Sequence, residues 1–267
     1  MTDRASKPIQ QRAPVIVFAN QKGGVGKTTT TVNVAASIAA TGRRILLVDL
    51  DPQGNATSSL GVDKGKLEGT VYDTLLGDLP PEESILPLVR PNLDLMPTTA
   101  DLAAAEVDLV DLTDRESQLR RVLEPLRADY DLVLIDCPPS LGLLTINALT
   151  AATHVVIPIQ SEFLALEGMS QLITTIDLVK RQLNPSLDLL GVLVTMYDAR
   201  TNLSASVQQE VRRFFPDRIF ETVIPRSVRL AEAPSYGQSI IEYDSASRGG
   251  VAYRSFAVEL MGRLGLR

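Results

Sequence analysis

The feature that most constrains this chain is a glycine-rich stretch near its start, which follows the apolar run of residues 15–19. The stretch contains Lys22, Gly23, Gly24, Val25, Gly26, Lys27, Thr28 and Thr29. Apolar residues spaced as in a helix come directly after it, between Val32 and Ala39. A strand, a glycine-rich turn and a helix in this order are typical of a loop that binds phosphate groups.

The residue types of this stretch suit the phosphates of ATP. Glycine has no Cβ, so the backbone can approach phosphate oxygens closely, and the first N–H groups of the helix add a partial positive charge. Lys27 is placed to reach the β- and γ-phosphates, and the Thr28 hydroxyl is placed to hold Mg²⁺. The sequence therefore predicts that residues 22–29 bind ATP and Mg²⁺.

Two departures from the common phosphate-loop pattern are informative. Gln21 stands where the first glycine of that pattern is expected, and Lys22 adds a second lysine. A glycine-rich turn with an incidental lysine is the alternative interpretation, but the strand, the glycines and the helix all agree on a phosphate loop. The stretch resembles the deviant Walker A box of the ParA/MinD ATPases. This resemblance implies that Lys22 acts in trans, reaching the partner's phosphates in an ATP-bound homodimer.

Two aspartates that follow predicted strands complete the expected site. Asp51 follows the largely apolar run of residues 44–49, and Asp136 ends the run of residues 130–136. Acidic turns after strands are common, but the carboxyl ends of parallel strands form the edge at which α/β sheets bind ligands. By resemblance, Asp51 orients the attacking water and senses the γ-phosphate, and Asp136 supports Mg²⁺. The predicted catalytic residues are Lys22, Lys27 and Asp51, and the predicted metal ligands are Thr28, Asp51 and Asp136.

Further resemblance lies in the C-terminal third, where residues 198–203 and 225–239 are close to the chromosomal, Soj-type ParA pattern. Over the whole chain the resemblance extends from about residue 14 to about residue 260. It departs in the N-terminal arm and at Ser227, where many relatives have asparagine. The expected adenine side of the ATP site follows the predicted strand ends and consists of Met196, Pro225 and Arg226.

Arg200 and Arg229 are the predicted DNA contacts. The chain carries a net charge of −6, but residues 177–267 hold 12 Lys and Arg against 10 Asp and Glu, which leaves a net +2 there and −8 for the rest. An isolated surface arginine is more often solvated or paired with a nearby acid, here Asp198 or Glu232. Both arginines match segments of the family that contribute to its DNA-binding face, so DNA is the favoured interpretation.

Predicted strands alternate with predicted helices along most of the chain, which indicates a parallel sheet covered on both faces. We expect one doubly wound, mainly parallel α/β domain over residues 14–267, preceded by a flexible arm of residues 1–13. Further strands are expected at residues 93–97, 153–159, 189–196 and 219–224. Further helices are expected at residues 70–76, 100–108 and 163–183, after a cap at Asp114, through Val207 and Val211, and from about Arg248.

Composition excludes several classes of protein. The first 13 residues have no apolar run of the kind a signal peptide contains, and no stretch reaches the ~18–20 apolar residues of a membrane span. Cys137 is the only cysteine, so neither an internal disulfide framework nor a single-chain site of four cysteines is possible. We therefore expect a soluble cytosolic protein.

The function implied by the resemblance is DNA partitioning by an ATPase associated with the nucleoid. ATP would close a homodimer that binds DNA without sequence preference, and a ParB-type partner would stimulate hydrolysis and release it. One alternative is a MinD-like ATPase that cycles on membranes, although residues 256–265 have little cationic face. Others are an iron–sulfur reductase or carrier, disfavoured by the single cysteine, and a metabolic P-loop enzyme such as a dethiobiotin synthetase.

Overall fold

A computed structural model describes residues 12–162 and 169–266 of the chain. Within these ranges seven strands form one sheet in the order β3-β4-β2-β5-β1-β6-β7. All neighbouring strands are parallel except β3, which runs antiparallel to β4 at one edge. The strands are β1 (Val15–Phe18), β2 (Ile45–Asp49), β3 (Leu86–Arg90), β4 (Leu93–Met96), β5 (Leu132–Asp136), β6 (His154–Gln160) and β7 (Asp188–Thr195).

Helices cover both faces of this sheet. Together with short 3₁₀ turns they are α1 (Lys27–Ala39), α2 (Asn55–Ser59), α3 (Val71–Leu76), α4 (Ala105–Asp108), α5 (Gln118–Leu126), α6 (Leu143–Ala151), α7 (Met169–Gln182), α8 (Asn202–Phe214), α9 (Val228–Glu232), α10 (Ile240–Asp244) and α11 (Arg248–Arg263). In the described ranges, none of these helices combines the length and the apolar character that a membrane crossing requires.

The alternation of side chains along the strands explains why the sheet is covered twice. Val15 and Val17 of β1 belong to one apolar cluster, whereas Ile16 and Phe18 belong to the other. The first cluster includes apolar residues of α5, α6 and α7, and the second includes those of α1 and α11. Successive residues of a strand point to opposite faces, so a strand with helices on both sides must be apolar throughout. The expected doubly wound α/β fold is thereby confirmed.

The sheet order brings together the ends of the three strands on which the predicted site rests. β5 lies between β1 and β2, and its last residue, Asp136, is in register with Phe18 of β1 and with Asp49 of β2. The loop after β1 therefore begins at the same edge as the acidic segment after β2. Residues that are far apart in the chain meet at this edge because parallel strands end on one side.

The strand predicted at residues 219–224 is wrong. Only isolated bridges form here, between Val192 and Ile219 and between Tyr197 and Pro225. Between them the N–H groups of Glu221 and Thr222 donate to the carboxylate of Glu259 in α11, at 2.8 and 2.9 Å. A side chain from a distant helix thus interrupts the predicted ladder, although the N–H groups of Phe220 and Ile224 still donate to the carbonyls of Val192 and Val194 in β7, each at 2.9 Å.

The helix cap predicted at Asp114 is also wrong. Asp114 has a left-handed backbone (φ 53°) before the 3₁₀ turn Arg115–Ser117, and α5 begins only at Gln118. Its carboxylate makes no capping hydrogen bond and instead pairs with Arg121 at 2.6 Å. The Asp114 carboxylate thus forms an ion pair with Arg121 instead of the hydrogen bond of a helix cap. The helix predicted at residues 100–108 is divided, into a 3₁₀ turn over Ala100–Ala104 followed by α4.

Two expectations concern residues outside the described ranges. The flexible arm falls almost entirely on residues 1–11, and the first six residues of the helix predicted from residue 163 are also outside. Ala13, which the sequence places in the arm, is buried and donates its N–H to the carbonyl of Arg127 at 3.0 Å.

The packing of α11 on the sheet provides a test of the core. Phe256 is fully buried, and its ring meets that of Phe220 edge to face, with centroids 4.9 Å apart. Phe256→Ala should lower the free energy of unfolding by about 3–5 kcal/mol, because it leaves a cavity in the core. The matched control is Val258→Ala on the exposed side of the same helix, which should change it by less than about 0.5 kcal/mol. Urea unfolding measures both, and equal losses would contradict this packing.

Candidate nucleotide-binding site

The loop between β1 and α1 has the backbone that the glycines require. Gly24 and Gly26 have φ values of 74° and 85°, in the left-handed region that glycine adopts without strain. Gly26 is the N-cap of α1 and supplies no capping side chain. The first N–H groups of α1 therefore keep their capacity to bind an anion.

Side chains that the sequence analysis did not single out hold this loop in place. The Asn20 amide donates to the carbonyl of Pro158 in β6 at 2.7 Å, and its oxygen accepts the N–H of Lys22 at 3.0 Å. The Thr195 hydroxyl, at the end of β7, donates to the carbonyl of Val25 at 2.8 Å. No local pattern could reveal the contacts of Asn20 with Pro158 and of Thr195 with Val25, since each joins residues more than 130 positions apart. The contact of Asn20 with Lys22 is local, but the first of these distant contacts holds Asn20 in position for it.

Lys27 is buried at the base of the loop. Its ammonium donates to the carbonyl of Lys22 at 3.2 Å and forms no ion pair with any residue in the described ranges. Burial lowers the pKa of Lys27, while the charges of Asp136 and Asp51 act in the opposite direction. A cation that has lost water without gaining a close acid is poised to bind an anion.

Lys22, in contrast, lies on the outside of the loop. Its ammonium is 3.3 Å from a carboxylate oxygen of Glu162, and both side chains are about half exposed (40% and 51%). Exposed ion pairs contribute little to stability, so this contact can be exchanged readily for another anion. Lys22 and Lys27 therefore belong to one loop but face different surroundings.

Asp49 and Asp136 lie side by side, fully buried, at the ends of β2 and β5. The pKa of Asp136 is raised well above its usual range, mainly by burial and next by the charge of Asp49. Oδ1 of Asp136 accepts the Thr31 hydroxyl at 3.3 Å, but its buried Oδ2 has no hydrogen-bond partner among the described residues. The Thr28 hydroxyl is near enough to counteract part of the rise in pKa, although it does not donate to Oδ2 in good geometry.

Asp51 is nearly buried in the turn after β2. Its Oδ1 accepts the N–H of Gln53 at 3.0 Å, and its own N–H lies 3.4 Å from Oδ1 of Asp49. The charge of Asp51 acts on both Lys27 and Asp136, which places it within electrostatic reach of the loop. The structure thus brings together the acidic residues that the sequence predicted.

The oxygen ligands available beside the loop fit Mg²⁺ better than a metal ion whose ligands all come from the protein. In the part of the chain that the structure describes, no group of three or more His, Cys, Asp or Glu side chains could hold a metal ion by itself. Mg²⁺ usually keeps several waters and takes few protein ligands beside the phosphates of a nucleotide. The free Oδ2 of Asp136 and the hydroxyl of Thr28 supply such a partial set.

A cavity of about 230 Å³ opens next to the loop. Met196, Pro225 and Arg226, the predicted adenine-side residues, all line it together with Gly26 and Thr29 of the loop. Its apolar wall also contains residues that the sequence analysis missed, Ile224, Leu230 and Tyr253. The periodicity of α11 indicates only that Tyr253 is a core residue, and no signal in the sequence shows that it lines the cavity.

Arg200 is paired with one acid, Asp198, and Arg229 with two, Glu232 and Asp244, the latter at 3.6 Å. The Arg200 guanidinium donates twice to Asp198, at 2.8 and 2.6 Å, and Arg229 donates to Glu232 at 3.1 Å. Asp198 and Glu232 are the acids named in the alternative interpretation of these arginines. Both arginines are exposed. The Arg200 side chain is 88% exposed despite its two hydrogen bonds.

Comparison with known proteins agrees with this architecture. The model of the AAA domain family matches residues 13–189. The chain is 54% identical to the sporulation initiation inhibitor protein Soj of Bacillus subtilis, over 92% of this chain and 97% of that protein. It is 53% identical to the chromosome partitioning protein ParA of Myxococcus xanthus, over 93% of this chain and 88% of that protein.

Two solved structures with the same fold have names that differ from those of the Soj and ParA relatives. A cobyrinic acid a,c-diamide synthase from Mycobacterium smegmatis, with bound ADP and magnesium, has 42% identity and a TM-score of 0.83, covering 95% of this chain and 96% of that one. The cell division ATPase MinD of Pyrococcus furiosus has 25% identity and a TM-score of 0.78, covering 94% of this chain and 99% of that one.

The burial of Asp136 predicts a pH dependence of stability in the absence of ligand. Because its pKa is raised in the native state, the unfolded state loses its proton first, and the free energy of unfolding falls as the pH rises above about 3.8. Asp136→Asn removes this titration. Its stability relative to wild type should therefore grow with pH, by up to about 1.4 kcal/mol per pH unit, until the native carboxyl ionises. Urea unfolding with a chelator and without nucleotide measures the difference, and a pH-independent difference would contradict it.

Proposed function

This chain belongs to the ParA/Soj family of chromosome-partitioning ATPases, and we propose that it hydrolyses Mg²⁺·ATP at the loop of residues 22–29 in a cycle that controls DNA binding. The observation that carries this proposal is the buried ammonium of Lys27, which has no ion pair among the described residues and lies near Asp136 at the end of β5 and Asp51 in the turn after β2. A desolvated cation beneath a glycine-rich loop is suited to the β- and γ-phosphates.

The chain's own residues divide the work of hydrolysis. Lys27 and the N–H groups of residues 23–29 bind the phosphates, and the cavity lined by Met196, Pro225 and Arg226 takes the adenine. Thr28 and Asp136 would hold Mg²⁺, with support from Asp51, and the ion would supply positive charge against that of the phosphates. Asp51 orients the attacking water from the turn after β2.

Asp51→Ala tests the assignment of the water-orienting residue. The variant should bind Mg²⁺·ATP with wild-type affinity but lose turnover, because no carboxylate remains to orient the water. Binding of a fluorescent ATP analogue and release of phosphate measure the two steps separately. Lys27→Ala is the reference variant that should lose binding itself. An Asp51→Ala protein that hydrolyses ATP at the wild-type rate would overturn the assignment.

Lys22 is proposed to act across a homodimer that forms with ATP. Its ammonium is held only by an exposed contact with Glu162, so it is available to a second set of phosphates at little cost. Two ATP molecules facing each other repel, and a cation between them offsets that repulsion. Lys22 therefore has a different role from Lys27, which serves the phosphates of its own chain.

Lys22→Gln should bind ATP but remain monomeric. We expect the clearest result in an Asp51→Ala background, since hydrolysis then does not deplete the ATP state. Light scattering with ATP should give a dimer for Asp51→Ala alone and a monomer for the double variant. An ATP-dependent dimer in the double variant would contradict the role of Lys22.

The proposed DNA face contains Arg200 and Arg229. Their exposed ion pairs can exchange an acid for a DNA phosphate, and the charges they would present double when two chains associate. Doubling the contacts on dimer formation explains how a protein of net charge −6 could bind DNA only when ATP is present. Such contacts go to the backbone and carry no sequence preference.

Arg200→Ala and Arg229→Ala should each weaken retention of plasmid DNA and flatten its salt dependence, by about 0.9 log unit per lost phosphate contact for each tenfold change in salt. ATP turnover without DNA should be unchanged. Arg212→Ala is the matched control, because Arg212 is also exposed and doubly bonded to an acid, Glu221, at 3.0 and 2.8 Å. Wild-type binding by both variants would place the DNA surface elsewhere. Binding to lipid vesicles instead of DNA would favour the MinD-like alternative.

Partner and location follow from the same proposal. We expect residues 14–267 to act as one ATPase domain. A ParB-type centromere-binding protein is the expected stimulator of hydrolysis, and the dimer is expected on the nucleoid in the cytoplasm. Addition of such a protein to the DNA-bound dimer should raise turnover and release the DNA.

The name of the Mycobacterium smegmatis neighbour suggests a second candidate, the ATP-dependent amidation of a cobyrinic acid. An enzyme that takes nitrogen from glutamine through a cysteine nucleophile needs a reactive thiolate. The chain's only cysteine, Cys137, is buried, and burial raises the pKa of its thiol. ATP turnover that requires cobyrinic acid and glutamine, in proportion to amide formed, would favour this candidate over DNA partitioning.

A further inference from the structure

The carboxylate of Asp49 has no part in the steps above, although it is buried beside Asp136. Its Oδ2 accepts both the N–H and the hydroxyl of Thr57, each at 2.7 Å, and its Oδ1 lies 3.4 Å from the N–H of Asp51. Asp49 thus meets protein donors on both oxygens, whereas Oδ2 of Asp136 has none among the described residues. Of these two neighbouring acids, only Asp136 keeps an oxygen free for a ligand.

Thr57 connects Asp49 to a second strand. It lies in α2 and is fully buried, and its hydroxyl oxygen accepts the N–H of Thr98 at 3.2 Å while its proton goes to Asp49. Thr98 follows the end of β4, the neighbour of β2 in the sheet. One hydroxyl therefore joins the segment after β2 to the ends of two adjacent strands.

Hydrogen bonds on both sides hold the turn that contains Asp51. Before it, the N–H of Asp51 faces Asp49, and after it, the N–H of Gly54 donates to the carbonyl of Asp51 at 2.7 Å. Gly54 is the N-cap of α2, in a left-handed conformation (φ 59°), and its carbonyl accepts the N–H of Ser58 at 3.1 Å. A shift of α2 would be transmitted through Gly54 to the backbone of Asp51.

We propose that Asp49 and Thr57 are positioning residues for hydrolysis, which hold the turn of Asp51 in place without touching the nucleotide. This inference rests on the proposed role of Asp51. It predicts a specific separation of effects: loss of the Thr57 hydroxyl moves the residue that orients water but leaves the phosphate loop and the adenine cavity unchanged. Misplacement of a reacting group by about 1 Å costs about 10²-fold in rate.

The test compares three substitutions at Thr57. Thr57→Val has nearly the same shape but no hydroxyl, so we expect kcat to fall about 10–100-fold while ATP affinity stays at the wild-type value. Thr57→Ser keeps the hydroxyl and should restore kcat. Thr57→Ala removes the hydroxyl together with the methyl group, and it tests the same separation of kcat from ATP affinity if Thr57→Val does not fold.

The matched control is Thr74→Val in α3. Thr74 is also buried, and its hydroxyl donates to the carbonyl of Thr70 at 3.2 Å, away from the site. Both valine variants should lose stability in urea unfolding, but only the one at Thr57 should lose kcat. Equal kcat losses in the two variants, or in Thr57→Val and Thr57→Ser, would overturn the inference.

Asp51→Ala, measured beside these variants, separates this inference from the proposed function. If Asp51→Ala has no turnover and Thr57→Val hydrolyses ATP like wild type, the positioning role alone is wrong. If Asp51→Ala keeps its turnover, the role of Asp51 and the inference built on it both fail.

Discussion

The site depends on ionisable groups that the fold keeps away from water at the ends of neighbouring strands. Lys27, Asp49 and Asp136 are all buried, and the two acids face each other across β2 and β5. A buried charge is unfavourable unless hydrogen bonds or an opposite charge compensate it. Apolar packing on both faces of the sheet makes this arrangement tolerable, since it fixes the strand ends that carry the charges.

The buried ionisable groups differ in how fully hydrogen bonds satisfy them, and the difference indicates which of them can bind a ligand. Asp49 is satisfied by Thr57, and Asp51 by the backbone of Gln53, so these acids stabilise the turn in which they lie. Lys27 and Asp136 keep unmet capacity to bind an anion and a cation respectively. Groups with perturbed pKa values and missing partners concentrate at functional sites, because ligand binding supplies what the protein lacks. A magnesium–nucleotide complex carries both kinds of charge.

The basic residues on the surface differ from the buried groups of the site in that their ion pairs are open to water. Arg200, Arg229 and Lys22 each contact an acid, but all three contacts are exposed. Water and salt weaken such pairs, so they can be exchanged for stronger anions without disturbing the fold. The buried groups are therefore suited to hold one nucleotide in a fixed geometry. The exposed ones are suited to the proposed contacts with a second subunit or with DNA.

Much of this arrangement could be predicted from local patterns. The phosphate loop needs a strand, glycines and a helix in one short segment, and the buried strands that precede Asp51 and end at Asp136 are continuous apolar runs. The parallel sheet follows from those runs, because a strand covered on both faces has no polar side. The resemblance of the loop and of residues 198–203 and 225–239 to the family added the expected function.

Tertiary structure decided what depends on residues far apart in the chain. Tyr253 lines the cavity because α11 packs beside α1. Glu259 of the same helix accepts the N–H groups of Glu221 and Thr222, in the middle of the segment for which a strand was predicted. Thr98 meets Thr57 because β4 and β2 are neighbours in the sheet. The sequence by itself determined the phosphate loop, the strands and the acids, since each has a local signature. Only the fold decided which buried groups lie side by side, as Asp136 does with Asp49, because such contacts join segments that carry no signal of each other.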